Sequence, residues 1–168
     1  LIFKLFYNIF SAIGGSAPGG HYFGYHLISL ALHATNAFLV YSLAKNIFNL
    51  PAGKAGVIDF ANTKKLAILT ASIFLLYPIH VEIVSWIAAW PHLWVTLFYL
   101  LALINYFAFR ESNNIKKLFY SLSFFILALL TKEIAISLPL VILIWEIYFY
   151  SQIPPSLGKL GTPPFVKG

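Results

Sequence analysis

Residues 27–48 read Leu-Ile-Ser-Leu-Ala-Leu-His-Ala-Thr-Asn-Ala-Phe-Leu-Val-Tyr-Ser-Leu-Ala-Lys-Asn-Ile-Phe, an apolar run whose only charge, Lys45, lies close to its end. A helix that crosses a bilayer needs about 20 predominantly apolar residues, so this stretch is long enough by itself. Working outward from it, four shorter apolar stretches follow: Thr63–His80, His92–Phe109, Lys116–Thr131 and Ile134–Tyr150. Only helices or closed barrels satisfy their backbone hydrogen bonds inside lipid. The pattern predicts an all-α polytopic membrane helix bundle with about five transmembrane helices, 27–48, 63–80, 92–109, 116–131 and 134–150. Leu1–Ile13 is apolar but short and is set apart by Gly14, Gly15, Pro18, Gly19 and Gly20, which predicts an interfacial N-terminal helix. Residues 1–150 form the membrane-embedded region. Residues 151–168 carry Pro154, Pro155, Pro163 and Pro164 and read as a tail or linker.

Composition agrees with that class. Sixty per cent of the 168 residues are apolar and 10% are charged, and mean hydropathy is +0.83. A soluble domain runs at roughly 45–50% apolar and about 25% charged. Disorder is excluded because it requires low hydrophobicity and high charge. The chain has no cysteine, which excludes disulfide frameworks, zinc–thiolate sites and thiol nucleophiles. It also has no methionine and opens on Leu1, and it reads as an internal piece of a longer protein. The net charge of +6 is scattered between apolar stretches and forms no basic face, so nucleic acid is not an expected partner.

The basic residues fix an orientation. Lys45, Lys54, Lys64, Lys65, Arg110, Lys116, Lys117, Lys159 and Lys167 fall on one side of five alternating spans, and only Lys4 and Lys132 fall on the other. Excess Lys and Arg mark the cytoplasmic side. In this topology His26, His80, Glu82, His92, Lys132 and Glu133 share the outer face.

Three groups on that face can carry chemistry. A continuous helix from Lys116 to Tyr150 would be about 50 Å long against a hydrocarbon core of about 30 Å. The chain must therefore turn, and Lys132-Glu133 is the charged place to do so. A lysine in an outer recess suits a phosphate as a point charge, and Glu133 can orient it; an ordinary helix-ending ion pair is the alternative. In Tyr77-Pro78-Ile79-His80-Val81-Glu82 the proline ends or kinks a helix and sets His80 and Glu82 just beyond. That pair fits acid–base work or a hydrogen-bonded interfacial role. A metal would need a third ligand from His26, His92 or Glu133, at a spacing that matches no metal motif, so neither metal nor cofactor is expected. His26, His33 and Asn36 share one helix face; for His33 and Asn36 helix–helix hydrogen bonding is preferred. Glu146 is read as snorkelling to the inner interface. Trp86, Trp90 and Trp94 are read as interfacial anchors, with sugar stacking as the alternative. No phosphate-cradling glycine loop, Gly-x-Ser-x-Gly elbow or dinucleotide fingerprint is present.

Taken in order, Gly24-Tyr25-His26-Leu27 with His33 and Asn36, Tyr77-Pro78-Ile79-His80-Val81-Glu82-Ile83-Val84-Ser85-Trp86-Ile87, Thr131-Lys132-Glu133 and Leu138-Pro139-Leu140 resemble the membrane O-mannosyltransferases that carry transmembrane segments followed by tetratricopeptide repeats, with their bacterial relatives, in the GT-C class of glycosyltransferases. The resemblance covers residues 20–150. It implies transfer of a sugar, mannose in the O-mannosyl members, from a polyprenyl-phosphate carrier to an acceptor hydroxyl on a protein or glycan at the outer or lumenal face. It places His80 and Glu82 in the catalytic cavity, and assigns Lys132, Glu133 and His26 to the donor phosphate. Two departures stand out. Trp90 and His92 occupy the region where the family carries an arginine and an acidic residue. No aspartate precedes Asp59, so the acidic base expected in the first outer loop would lie upstream of Leu1. An inactive or scaffolding family member is therefore the alternative; a transporter using the His26–His33–Asn36 stripe is the other, although nothing ionisable continues that path. The lack of an Asn-x-Ser/Thr acceptor favours a bacterial plasma membrane over the endoplasmic reticulum.

Overall fold

Apolar runs unbroken by glycine favour helix, and the turns fall where Pro, Asn and charged residues interrupt them. The computed structural model describes residues 20–49, 60–86 and 89–151. Every regular element among them is helical: α1 (Gly20–Asn49), α2 (Phe60–Leu76), α3 (Ile79–Ser85), α4 (Trp90–Ser112), α5 (Ile115–Thr131), a 3-10 helix (Glu133–Ile136) and α6 (Ser137–Ser151). The expected interfacial helix at Leu1–Ile13 and all of the tail but Ser151 lie outside the described residues. Two helical segments, Gly24–Phe48 and Trp90–Ser112, are long and apolar enough to cross a membrane.

Several boundaries depart from the sequence reading, three of them at the turns nearest the candidate site. The second apolar run ends at Leu76 rather than His80, because Pro78 has no N–H to continue the helix and disfavours helix in the residue before it. His80 N–H then bonds the Tyr77 carbonyl at 3.0 Å, and His80 belongs to a separate short helix, α3. The third run starts two residues early, at Trp90, with Pro91 in its first turn, where a missing N–H removes no helical bond. The last helix starts at Ser137, because residues 133–136 wind as 3-10 helix after the extended backbone of Lys132 (φ −160°, ψ 143°).

The turn between α4 and α5 is closed by two asparagines. Asn113 adopts the left-handed region at φ 52° and ends α4, its N–H bonding the Phe109 carbonyl at 2.7 Å. Short polar side chains tolerate that conformation. Asn114 then caps α5, its Oδ1 accepting the Lys116 N–H at 3.0 Å, the usual device for satisfying an orphan donor of a first turn.

Hydrogen bonds between helices give their directions. Trp90 bonds Ser29 and Asn36 bonds the Leu93 carbonyl, so α1 and α4 run in parallel. Ser121 bonds the Ala102 carbonyl and Lys117 the Ala108 carbonyl, so α5 returns antiparallel to α4. Tyr99 meets Ser137 and Tyr106 meets Glu146, so α6 again follows α4. Helix α2 runs back along α1, its last turn lying against His33. One end of the bundle thus gathers Lys45, Lys64, Lys65, Arg110, Lys116 and Lys117. The other gathers the start of α1, α3, the start of α4 and the Lys132 turn.

The interior is small and partly polar. Tyr25, Trp90 and Leu93 form one cluster, against which Ile28, Leu32 and Ile83 pack. Val95, Ala128 and Ala135 form another, joined by Phe98 and Leu129. Ser29, His33, Asn36, Thr63 and Ser121 are buried, whereas Leu30, Phe38, Ile73, Phe119, Leu130, Leu140 and Ile144 are exposed. Contiguous apolar surface on this scale is scarce on a water-soluble monomer.

Candidate functional site

The site is built at the lysine-poor end. Lys132 ends α5 and its N–H bonds the Ala128 carbonyl at 2.9 Å; its own carbonyl accepts the Ala135 N–H at 3.2 Å. Ala128 and Ala135 are both fully buried against Val95 of α4. Two side chains without bulk therefore let the turn sit close against α4, and the Lys132 side chain reaches the first turn of that helix. A cation at a helix C-terminus is favoured by the dipole. The ammonium, however, is engaged elsewhere: Nζ stands 2.7 Å from His92 Nε2 and 3.4 Å from His92 Nδ1. His92 is exposed and sits in the first turn of α4, which contains no acidic residue.

Further along α4 a cavity of about 260 Å³ opens, lined by Val95, Thr96, Tyr99, Leu100, Ile134 and Ser137. Thr96 is one helical turn below His92. Tyr99 Oη and Ser137 Oγ approach to 3.3 Å across it.

His80 is arranged differently. Helix α3 is held between α1 and α4, with Ile83 packed on the Tyr25–Trp90–Leu93 cluster. The His80 ring meets His33 at 5.1 Å, Phe74 at 4.6 Å and Tyr77 at 6.2 Å between centroids. Burial lowers the His80 imidazole below its ordinary value, and the neighbouring His33 acts in the same direction. His33 itself meets the Leu75 carbonyl at 3.2 Å, and Asn36 Nδ2 donates to the Leu93 carbonyl at 3.1 Å. Both bond between helices, the role preferred for them from their shared face.

Glu82, Glu133 and His26 are exposed. The backbone carbonyl of Glu82 accepts the Trp86 N–H at 2.9 Å and closes α3. Among the described residues no hydrogen bond or ion pair joins Lys132 or His92 to Glu82, Glu133, His26 or His80. The structure thus brings together Lys132 with His92 and His80 with His33, two pairs at one end of the bundle without a direct bond between them. No group of three His, Asp or Glu side chains with the spacing of a metal site occurs among the described residues.

Two aromatic and ionic arrangements were missed from sequence. Trp90 is no surface anchor. It is 1% exposed, its Nε1 donates to Ser29 Oγ at 2.7 Å, and its ring meets Tyr25 edge-on at 5.1 Å. Trp86 is exposed. The indole N–H of Trp94 is buried without a partner among the described residues. Glu146 does not extend freely to an interface: Arg110 Nη2 reaches its Oε2 at 2.9 Å and Tyr106 donates to its Oε1 at 2.7 Å. The signal available was the i, i+4 step from Tyr106 to Arg110, which puts both on one face of α4.

No family model, curated protein or solved structure matches the chain.

Proposed function

We propose that the chain is part of the membrane-embedded region of a GT-C-type glycosyltransferase that moves a sugar, mannose by resemblance, from a polyprenyl-phosphate carrier to an acceptor hydroxyl on the outer or lumenal face. The observation that carries this reading is the Lys132 ammonium at the lysine-poor end, paired with an imidazole and bonded to no carboxylate among the described residues. A lone ammonium of this kind is matched to an anionic group. The ordered motifs support the same reading, with Lys132 where the resemblance sets the carrier phosphate.

A multi-pass membrane setting accounts for the extensive apolar exterior and for the polar side chains buried between helices. Helices α2 and α5 have 17 residues each and would span about 25 Å. Helix α6 has 15, and with the 3-10 turn before it the segment reaches about 30 Å, the thickness of the hydrocarbon core. The bacterial plasma membrane is the favoured location.

In the proposed reaction the acceptor oxygen attacks the anomeric carbon and the bond from that carbon to the carrier phosphate breaks. The phosphate leaves with the electron pair, stabilised by Lys132. The hydroxyl proton passes to the acidic base that the resemblance implies. His80 and Glu82 line the acceptor side of the same face, and His26 and Glu133 border the donor.

The test is transfer of labelled sugar from a polyprenyl-phosphate donor by the complete protein. Lys132→Ala is expected to lower turnover by 100-fold or more, on the order of the loss of a charge-stabilising donor, while membrane insertion is unchanged. Wild-type turnover in that variant would defeat the assignment. A non-catalytic scaffold is the second reading. It draws on Trp90, which is committed to the core at a position where the resemblance leads one to expect charge near the donor. Complete inactivity of the wild-type protein with all such donors would favour it.

A further inference from the structure

Toward the lysine-rich end of the bundle, α5 and α6 stand apart. Helix α6 rests on α4 and on the 3-10 helix before it, and has little contact with α5. A groove of about 300 Å³ is left between them. Leu118, Leu122 and Phe125 of α5 and Leu138 and Leu143 of α6 wall it, and Tyr106 of α4 and Glu146 of α6 also line it. Leu122 and Leu143 are exposed, so the groove is open along its side. The Ser121 and Tyr106 hydroxyls on its walls are already committed to the Ala102 carbonyl and to Glu146. Walls of this kind give water no hydrogen-bond partner and accept hydrocarbon instead.

The depth of the groove matches one leaflet. Ser137, next to Leu138, meets Tyr99 near the middle of the 23-residue α4. Glu146 meets Arg110 close to the end of that helix. From Leu138 to Glu146 the chain rises about 12 Å, against about 15 Å for half of the hydrocarbon core. An acyl chain lying there runs from the middle of the bilayer to its lysine-rich surface.

The mouth carries one charge of each sign. Arg110 Nη2 holds Glu146 Oε2 at 2.9 Å by a single bond, which leaves other N–H groups of the guanidinium without a partner among the described residues. Glu146 accepts one bond on each oxygen, from Tyr106 and from Arg110, and a carboxylate oxygen has room for another. Both side chains are partly exposed. Lys117 is turned to the Ala108 carbonyl at 3.3 Å, and neither it nor Lys116 nor Glu111 lines the groove. An arginine beside a carboxylate is complementary to a phosphate beside an ammonium: the guanidinium donates to phosphate oxygens and the carboxylate accepts the ammonium N–H. A quaternary ammonium has no N–H to give, and an anionic headgroup sets negative charge against Glu146.

Resting on the multi-pass membrane setting, we infer that the α5–α6 groove binds one phospholipid of the lysine-rich leaflet with a zwitterionic headgroup ending in a primary ammonium. Its acyl chain lies between Leu122 and Leu143, its phosphate on Arg110 and its ammonium on Glu146.

The experiment is native mass spectrometry of the full chain released from detergent micelles that contain, in turn, palmitoyl-oleoyl phosphatidylethanolamine, phosphatidylcholine or phosphatidylglycerol. The wild type is expected to retain one ethanolamine lipid and to hold it about two- to fivefold more tightly than either of the others, the worth of one exposed ion pair. Glu146→Gln, which keeps an acceptor for Tyr106, is expected to lose that preference and to shift toward the glycerol lipid. Leu143→Trp narrows the groove from its exposed rim and is expected to release the lipid with helical circular dichroism unchanged. Leu122→Trp repeats that test from the opposite rim should the first variant fail to fold. Equal retention of the three lipids by the wild type overturns the inference, as does a preference that survives in Glu146→Gln or a lipid that survives both tryptophan variants. A lipid-free dimer that either tryptophan variant dissociates would put a second copy of the chain in the groove and overturns it as well. The membrane setting fails separately. A full chain that does not float with vesicles of these three lipids removes that setting and the site together, whereas a chain that floats but holds the three alike loses only the site.

Discussion

The Trp90–Ser29 hydrogen bond offers the sharpest test of how α1 and α4 are locked together. Both residues are 1% exposed, so no solvent replaces a lost partner. The Ser29 hydroxyl donates its proton to the Tyr25 carbonyl at 3.0 Å, which turns a lone pair toward the Trp90 indole at 2.7 Å. Ser29→Ala therefore takes the serine acceptor away from a buried N–H, at a cost of about 1–3 kcal/mol. Trp90→Phe removes the same bond from the other side and leaves Ser29 its bond to Tyr25. Its cost is about 1–2 kcal/mol, the hydrogen bond plus the lost ring atoms. Both single variants remove the same bond, so in the double variant the combined loss falls short of the sum. Polar bonds between membrane helices couple by about 0.6 kcal/mol on average and up to about 1.7, and the full burial of this pair puts it toward the upper part of that range. The assay is reversible unfolding of the full chain in mixed lipid–detergent micelles, followed by helical circular dichroism for wild type, both single variants and the double. Additive single losses, with coupling below about 0.3 kcal/mol, would refute the argument that the bond is made and dry.

Two further outcomes follow from the same geometry. Glu146→Gln removes the Arg110 ion pair and keeps an acceptor for Tyr106; because both charged side chains are 31% exposed, the loss in the same unfolding assay is expected to stay below about 1 kcal/mol and to shrink with added salt. For His80 the folded protein favours the neutral ring, so the unfolded chain binds more protons. The contribution of His80 to stability is present above the ordinary histidine value of about 6.5 and is lost as pH falls from there through the lowered value of the folded state. Thermal unfolding of His80→Gln across that range is expected to show a flatter acid limb than the wild type.

The helices were legible because apolar runs and their interruptions are local. The Lys132-Glu133 turn followed from length, since an unbroken helix would be too long for a bilayer, and from the charge that marks where to break it. His33 and Asn36 followed from their shared face. What escaped depended on partners distant in sequence. Nothing in the run around Trp90 reveals a serine 61 residues earlier, so an indole bound for the core looked like three tryptophans at an interface. Sequence alone sets Glu146 at the inner interface because Arg110 lies 36 residues away on another helix. The break at Pro78 was visible, but its effect on the preceding residues was underestimated, and His80 passed from a spanning segment to a helix of its own. Within the site the Lys132–His92 contact joins residues 40 positions apart, and sequence order alone gave no reason to prefer it to Lys132 with Glu82.

The two asparagines between α4 and α5 reach further than their own turn. His92 is at the start of one arm of that hairpin and Lys132 is at the end of the other, so both halves of the cationic pair hang from a single short connection about 25 Å away along α5. A left-handed residue at Asn113 sets the phase with which the second arm leaves the first. A change there would rotate the lysine around its helix axis relative to the imidazole, without touching either. The pair also needs no help from α1 or α2 to meet. During synthesis it can come together once that one loop has closed, before the helix that follows has been made.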